Sequence, residues 1–272
     1  MILDFHTHAF PKDLSYRAVT SLAKRARLIN YHDGSIAALR ESMALAGITH
    51  GVQLNIAVKL EQTENTNRFA KKVLDKYTSA EPSIIPFAGI HPFDPNWKTW
   101  LHRIKKEGFQ GIKLHPDYQR FFVDDYRLEP FYQEVARLGL VMMFHAGYDI
   151  GLPDPIHASP RRLANVLPLL ERCKTVLAHM GGMYLYQGVL GLLCGRNVYF
   201  DTSVALGLMD IDTAREIFRR HTPDRMLFAT DSPWDDQSAA LRYFRDSIAE
   251  GFLSSEDTGR VLWGNGAGLL GL

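Results

Sequence analysis

Cysteine is nearly absent from this 272-residue chain: there are two, Cys173 and Cys194. They allow at most one disulfide, and both sit in apolar or helix-like surroundings, so reduced thiols in a cytoplasmic protein are the expectation. No run approaches the 18 uninterrupted apolar residues of a membrane-spanning helix. The chain opens directly into an apolar strand, without the basic leader and long apolar stretch of a secretory signal. Charge of one sign is also lacking. Lys and Arg number 31 against 30 Asp and Glu, a net charge of +1, and the two signs are interspersed. That pattern argues against nucleic acid as the partner and for a small-molecule ligand. No linker, low-complexity tract or shift in composition divides the chain, so residues 1–272 read as a single domain. With 46% hydrophobic residues, it has ample material for a large core.

What is present is a distinctive placement of histidine. Residues 2–5 are an apolar run, followed by His6-Thr7-His8. Side chains at i and i+2 of a strand share a face, so this run aims two imidazoles at one point. Neutral imidazole is a common ligand for zinc and related divalent ions. Seven further short apolar runs follow, at 51–56, 84–90, 111–114, 141–144, 175–178, 198–200 and 226–229. The polar residues closing the eight runs are His6, Asn55, His91, His115, His145, His179, Asp201 and Asp231, on average about every 32 residues.

Helical periodicity fills the intervals. Residues 35–46 carry Ile36, Leu39 and Met43 and stop at Gly47; Ser159-Pro160 opens a helix over 161–172; Ser254 and Asp257 resemble a capping box. Strand and helix alternating eight times predict an α/β fold of the (β/α)8 TIM-barrel type, with a doubly wound open sheet as the alternative. In a barrel, catalytic groups come from the C-terminal ends of the strands, which is where these residues fall. Residues 147–160 read as an active-site loop, and 11–30 and 183–187 as further loops shaping the pocket.

The series His6-Thr7-His8, Gly111-Ile112-Lys113-Leu114-His115-Pro116, His145, Leu177-Ala178-His179-Met180-Gly181-Gly182 and Ala229-Thr230-Asp231-Ser232-Pro233 resembles the amidohydrolase superfamily. Within it the chain is most similar to the amidohydrolase-related branch of metal-dependent hydrolases and decarboxylases. The likeness runs to Asn265, before the final helix. It implies metal ligands at His6, His8, His145 and Asp231, with Asp231 also shuttling protons. His179 would bind a second metal or polarise the substrate. Lys113 would be a carbamylated bridge between two metals, a paired interior ammonium or a cation for an anionic substrate group. One zinc per chain is the preferred reading, two the alternative; manganese, iron and nickel suit the same ligand types.

His115 and His91 are expected to face the substrate, and Asp201 to orient a ligand histidine. Arg120, Tyr148, Arg161, Arg162, Tyr184 and Trp234 fall in the top loops. The implied activity is hydrolysis of a C–O or C–N bond in a lactone, ester or amide, by water activated on a divalent metal. Nonoxidative decarboxylation of an unsaturated or aromatic acid is the second reading, and a catalytically inactive binding barrel the third. A homodimer is the expected assembly.

Overall fold

The computed structural model describes residues 1–152 and 154–272. Its strands are β1 (Leu3–Thr7), β2 (His50–Leu54), β3 (Ser83–Gly89), β4 (Gly111–Leu114), β5 (Val141–Phe144), β6 (Lys174–Leu177), β7 (Tyr199–Asp201) and β8 (Met226–Leu227). They pair in sequence order and every pair is parallel. With helices between them they form a nearly closed TIM barrel, and the open-sheet alternative falls away.

Alternation within each strand sets the layers. Leu3, Phe5, Val52, Leu54, Ile85, Phe87, Val141, Met143 and Val176 fill the barrel interior, joined by Leu269 and Leu270 of the last helix. Ile84, Ile112, Leu114, Met142, Phe144 and Phe200 belong to the core layer shared with the helices. Among those helices, Ile36–Ala46 starts where the Ser35 side chain accepts from the Ala38 amide and stops at left-handed Gly47.

The seam between β8 and β1 closes through individual hydrogen bonds. The amide of Phe5 donates to the Phe228 carbonyl at 2.9 Å, that of Asp231 to His6 at 2.7 Å and that of His8 to Ser232 at 2.6 Å. Buried Asp4 crosses the same seam, accepting from the Thr230 amide and hydroxyl and from Gln237 Nε2. β8 is shorter than the apolar run 226–229 because Phe228 leaves the ladder to bond Val261.

Two departures from the sequence reading bear on the site. In β1 the pairing runs from Asp4 opposite Gly51 to Thr7 opposite Gln53, three steps against two, which is a bulge. The bulge re-aims the chain, so that Phe5 lies in the interior cluster while His6 and His8 also face inward. Residues 11–30, expected as loop, contain the helix α1 (Ser15–Ala26). Its buried residues Ser15, Val19 and Ala23 recur every four positions, but Leu14 at its N-cap makes no side-chain bond, so the usual start signal is missing. No helix among the described residues is long and apolar enough to cross a membrane.

Candidate metal centre and active site

At the C-terminal mouth of the barrel, Nε2 of His6 lies 3.2 Å from Nε2 of His8. Oδ1 of Asp231 lies 3.2 Å from the first and 3.1 Å from the second. Their other partners assign the tautomers. Nδ1 of His6 meets Asp201 Oδ2 at 2.9 Å, and Nδ1 of His8 meets the Leu54 carbonyl at 3.2 Å. A carboxylate and a carbonyl accept, so each Nδ1 carries the hydrogen and each Nε2 presents a lone pair. Asp231 Oδ1 is buried without a donor. Three acceptors thus face one another with no proton between them, an arrangement that repels itself unless a cation sits among them. Two neutral imidazoles and a carboxylate fit a divalent metal such as zinc or manganese.

The electrostatics agree. Burial, and then the Lys113 ammonium, hold His6 well below the usual imidazole range, and burial does the same to His115 and His145. Burial pushes the Asp231 carboxyl up, but His6, His8 and His179 outweigh it and hold it below the usual range. The Lys113 ammonium is brought down to about 8 by burial, against the pull of Asp201 and Asp231. Its Nζ lies 3.5 Å from His6 Nε2.

A second tier of imidazoles stands beside this cluster. His179 Nδ1 meets the Ser203 carbonyl at 3.1 Å, and its Nε2 lies 3.1 Å from His145 Nδ1. The Ser203 hydroxyl donates to Asp201 Oδ1. Both His179 and Asp231 have positive φ, 58° and 68°, a conformation uncommon for non-glycine residues and often found at functional sites. His145, expected with His6, His8 and Asp231, is not in their three-atom cluster. It forms a separate group with His115 and Asp149, in which the His115 and His145 rings stack at 4.2 Å. His115 Nε2 lies 3.3 Å from Asp149 Oδ2, and His145 Nε2 is buried without a partner.

His6, His8, Lys113, His115, His145 and His179, with Asp149 and Asp231, line a cavity of about 580 Å³, which also takes in Tyr148 and Trp234. His91 does not line it: its Nε2 donates to the Gln119 carbonyl, and its Nδ1 accepts from the Phe93 amide. Arg120, Arg161, Arg162 and Tyr184 are outside the lining too, Arg162 being paired with Asp124. Residues 148–151 of the expected active-site loop reach the cavity, whereas Pro153 lies outside the described residues. Asp149 was missed by sequence reasoning; its signal is a carboxylate four positions after a strand-closing histidine. The α1 wall and the Leu54 carbonyl left no motif at all.

The Amidohydrolase family model matches residues 3–272. The chain belongs to the amidohydrolase family. Solved structures agree on the fold at low identity. An uncharacterized TIM-barrel protein from Bordetella bronchiseptica is 19% identical, with a TM-score of 0.78 over 99% of this chain and 98% of that one. A dihydroxybenzoic acid decarboxylase from Polaromonas, with bound manganese and an inhibitor, is 18% identical, with a TM-score of 0.69 over 100% and 97%. A probable 2-pyrone-4,6-dicarboxylic acid hydrolase from Acinetobacter baumannii is 16% identical, with a TM-score of 0.66 over 100% and 99%. No curated protein matches the sequence.

Proposed function

We propose that this amidohydrolase is a metal-dependent hydrolase of a small carbonyl compound, cleaving the C–O or C–N bond of a lactone, ester or amide. The observation that carries the reading is the convergence of His6 Nε2, His8 Nε2 and Asp231 Oδ1 without a shared proton. These residues would hold the ion, zinc being the first choice, with His145 and His179 beside it. A divalent ion there supplies Lewis acidity, polarising a carbonyl and making water more acidic.

The chain's own groups do the rest. Asp201 fixes His6 through Nδ1 and Ser203 positions His179, so neither ring turns during the reaction. The Asp231 side chain, 14% exposed at the cavity, accepts the proton of the attacking water and returns it to the leaving oxygen or nitrogen. His179 donates from Nδ1 to the Ser203 carbonyl, which turns its Nε2 toward His145 and the cavity, where it is placed to meet the ion or the substrate. The apolar walls limit competing water.

Lys113 favours a second reading. It is the one Lys or Arg lining the cavity among the described residues, and its position beside His6 suits a substrate carboxylate. In decarboxylation that carboxylate would leave as CO2, and the electron pair left on carbon would take a proton. The family's structural neighbours carry names of both kinds, so the reactions are separated by assay. Metal-loaded protein is offered lactones, esters and amides with acid release followed, and aromatic or unsaturated acids with CO2 followed. Acid release without CO2 supports hydrolysis. CO2 release alone replaces it with decarboxylation, and neither signal from broad panels, with metal bound, leaves the inactive barrel.

A further inference from the structure

The cavity extends from the metal centre to α1 and the loops that follow β2 and β5. Its outer lobe includes Phe10, Leu14, Leu22, Leu28 and Ile150, all hydrocarbon. Elsewhere the lining contributes Gln62, Asn65 and Thr66, polar but uncharged. Among the described lining residues, the cation is Lys113, beside His6, and the carboxylates are Asp149, beside His115, and Asp231, beside His8. Charge is therefore gathered around the histidines; the charge nearest the lobe is the Asp149 carboxylate, whose Oδ1 accepts from the Gly151 amide, and no lining cation lies there among the described residues. Nearby Arg25 is not part of the lining. It is exposed, its Nε donates to the Gly151 carbonyl at 2.8 Å, and its guanidinium lies over the Tyr118 ring.

We propose that the substrate is a carbonyl compound carrying one extended, uncharged apolar group, which occupies this outer lobe, and that dicarboxylic compounds are rejected. The inference builds on the hydrolase reading by naming the substrate class. The volume lies within the range of small-molecule pockets, about 300–1,000 Å³. An alkyl or aryl group leaving water for the lobe gains with every buried carbon, and a second carboxylate there loses its hydration and meets no counter-charge. The lobe selects by what it leaves unpaired as much as by what it contacts.

Calorimetric titration of the protein with straight-chain carboxylates tests this without relying on turnover. A carboxylate head is drawn to Lys113 whether or not a metal is bound. From butanoate to octanoate, Kd falls about fourfold per methylene that reaches the lobe. Octanedioate, the same length with a second carboxylate, binds roughly tenfold or more weakly than octanoate. Replacing Leu14, which is 40% exposed and tolerant of change, supplies the missing charge: Leu14→Arg shifts the octanedioate-to-octanoate preference toward the dicarboxylate by about tenfold. A flat chain-length series, octanedioate binding as well as octanoate, or an unchanged preference in Leu14→Arg overturns the proposal. Chain-length selectivity without turnover of any ester, lactone or amide would instead keep the substrate class and remove the hydrolase reading. Turnover without such selectivity would do the reverse.

Discussion

The Asp201 carboxylate lies 2.9 Å from Nδ1 of His6, with both side chains buried. One bond does two jobs: it keeps the hydrogen on Nδ1, and it leaves Nε2 as a lone pair aimed at His8 and Asp231. Asp201→Asn preserves shape but removes the charge and offers the ring a competing N–H. Metal affinity, measured by competition with a chromogenic chelator, is expected to fall about 10- to 100-fold. Unchanged affinity would show that His6 needs no such partner.

In the proposed mechanism Asp231 serves both the cluster and the proton transfer, so Asp231→Asn separates folding from chemistry. The side chain keeps its size, and the amide can hydrogen-bond to the lone pairs of His6 and His8 that the carboxylate faced. The melting temperature is expected to hold while kcat drops by at least about 10²-fold. Substantial activity in this variant, on a substrate the wild type turns over, would remove Asp231 from the proton path.

Much of this arrangement was legible because strand ends and chemistry coincide. Apolar runs closed by His6, His115, His145, His179 and Asp231 give both the barrel and the ring of polar groups at its mouth. What could not be read is local geometry. The bulge in β1 depends on pairing with β2, and periodicity within β1 would place Phe5 and His6 on opposite faces. His91 also closes a strand, yet backbone groups of Gln119 and Phe93 take both of its ring nitrogens. Strand position alone cannot tell a site histidine from one committed to its neighbours. α1 escaped because its buried face is narrow and its start has no capping side chain.

Gly147 follows His145 at φ 89°, and a Cβ there would stand 2.1 Å from the Met183 amide nitrogen and 2.5 Å from the Gly182 carbonyl carbon. These are backbone atoms and cannot swing away. Gly147→Ala is expected to cost about 3 kcal/mol or more and to displace His145. Gly139 also has positive φ, 62°, but open space around the added carbon, so Gly139→Ala should cost only about 1–2 kcal/mol. Denaturant unfolding of the pair measures the difference, and equal losses would mean that backbone conformation, not crowding, is what requires glycine at 147.

His221 makes stability depend on pH away from the site. Its ring is buried, stacked on Phe200 at 3.7 Å, with Nε2 donating to the Val198 carbonyl and Nδ1 accepting from the Gly195 amide. Burial brings it from 6.5 to about 4, so the folded protein holds it neutral where the unfolded chain would protonate it. Its contribution is therefore complete above about pH 6.5 and is lost as pH falls toward 4, up to about 3 kcal/mol. His221→Gln cannot titrate: it is expected to be less stable than wild type at pH 7.5, with the gap narrowing as pH drops through that window. Urea unfolding at half-unit steps from pH 7.5 to 4 reads the gap, and parallel curves for the two proteins would assign the acid sensitivity to other groups.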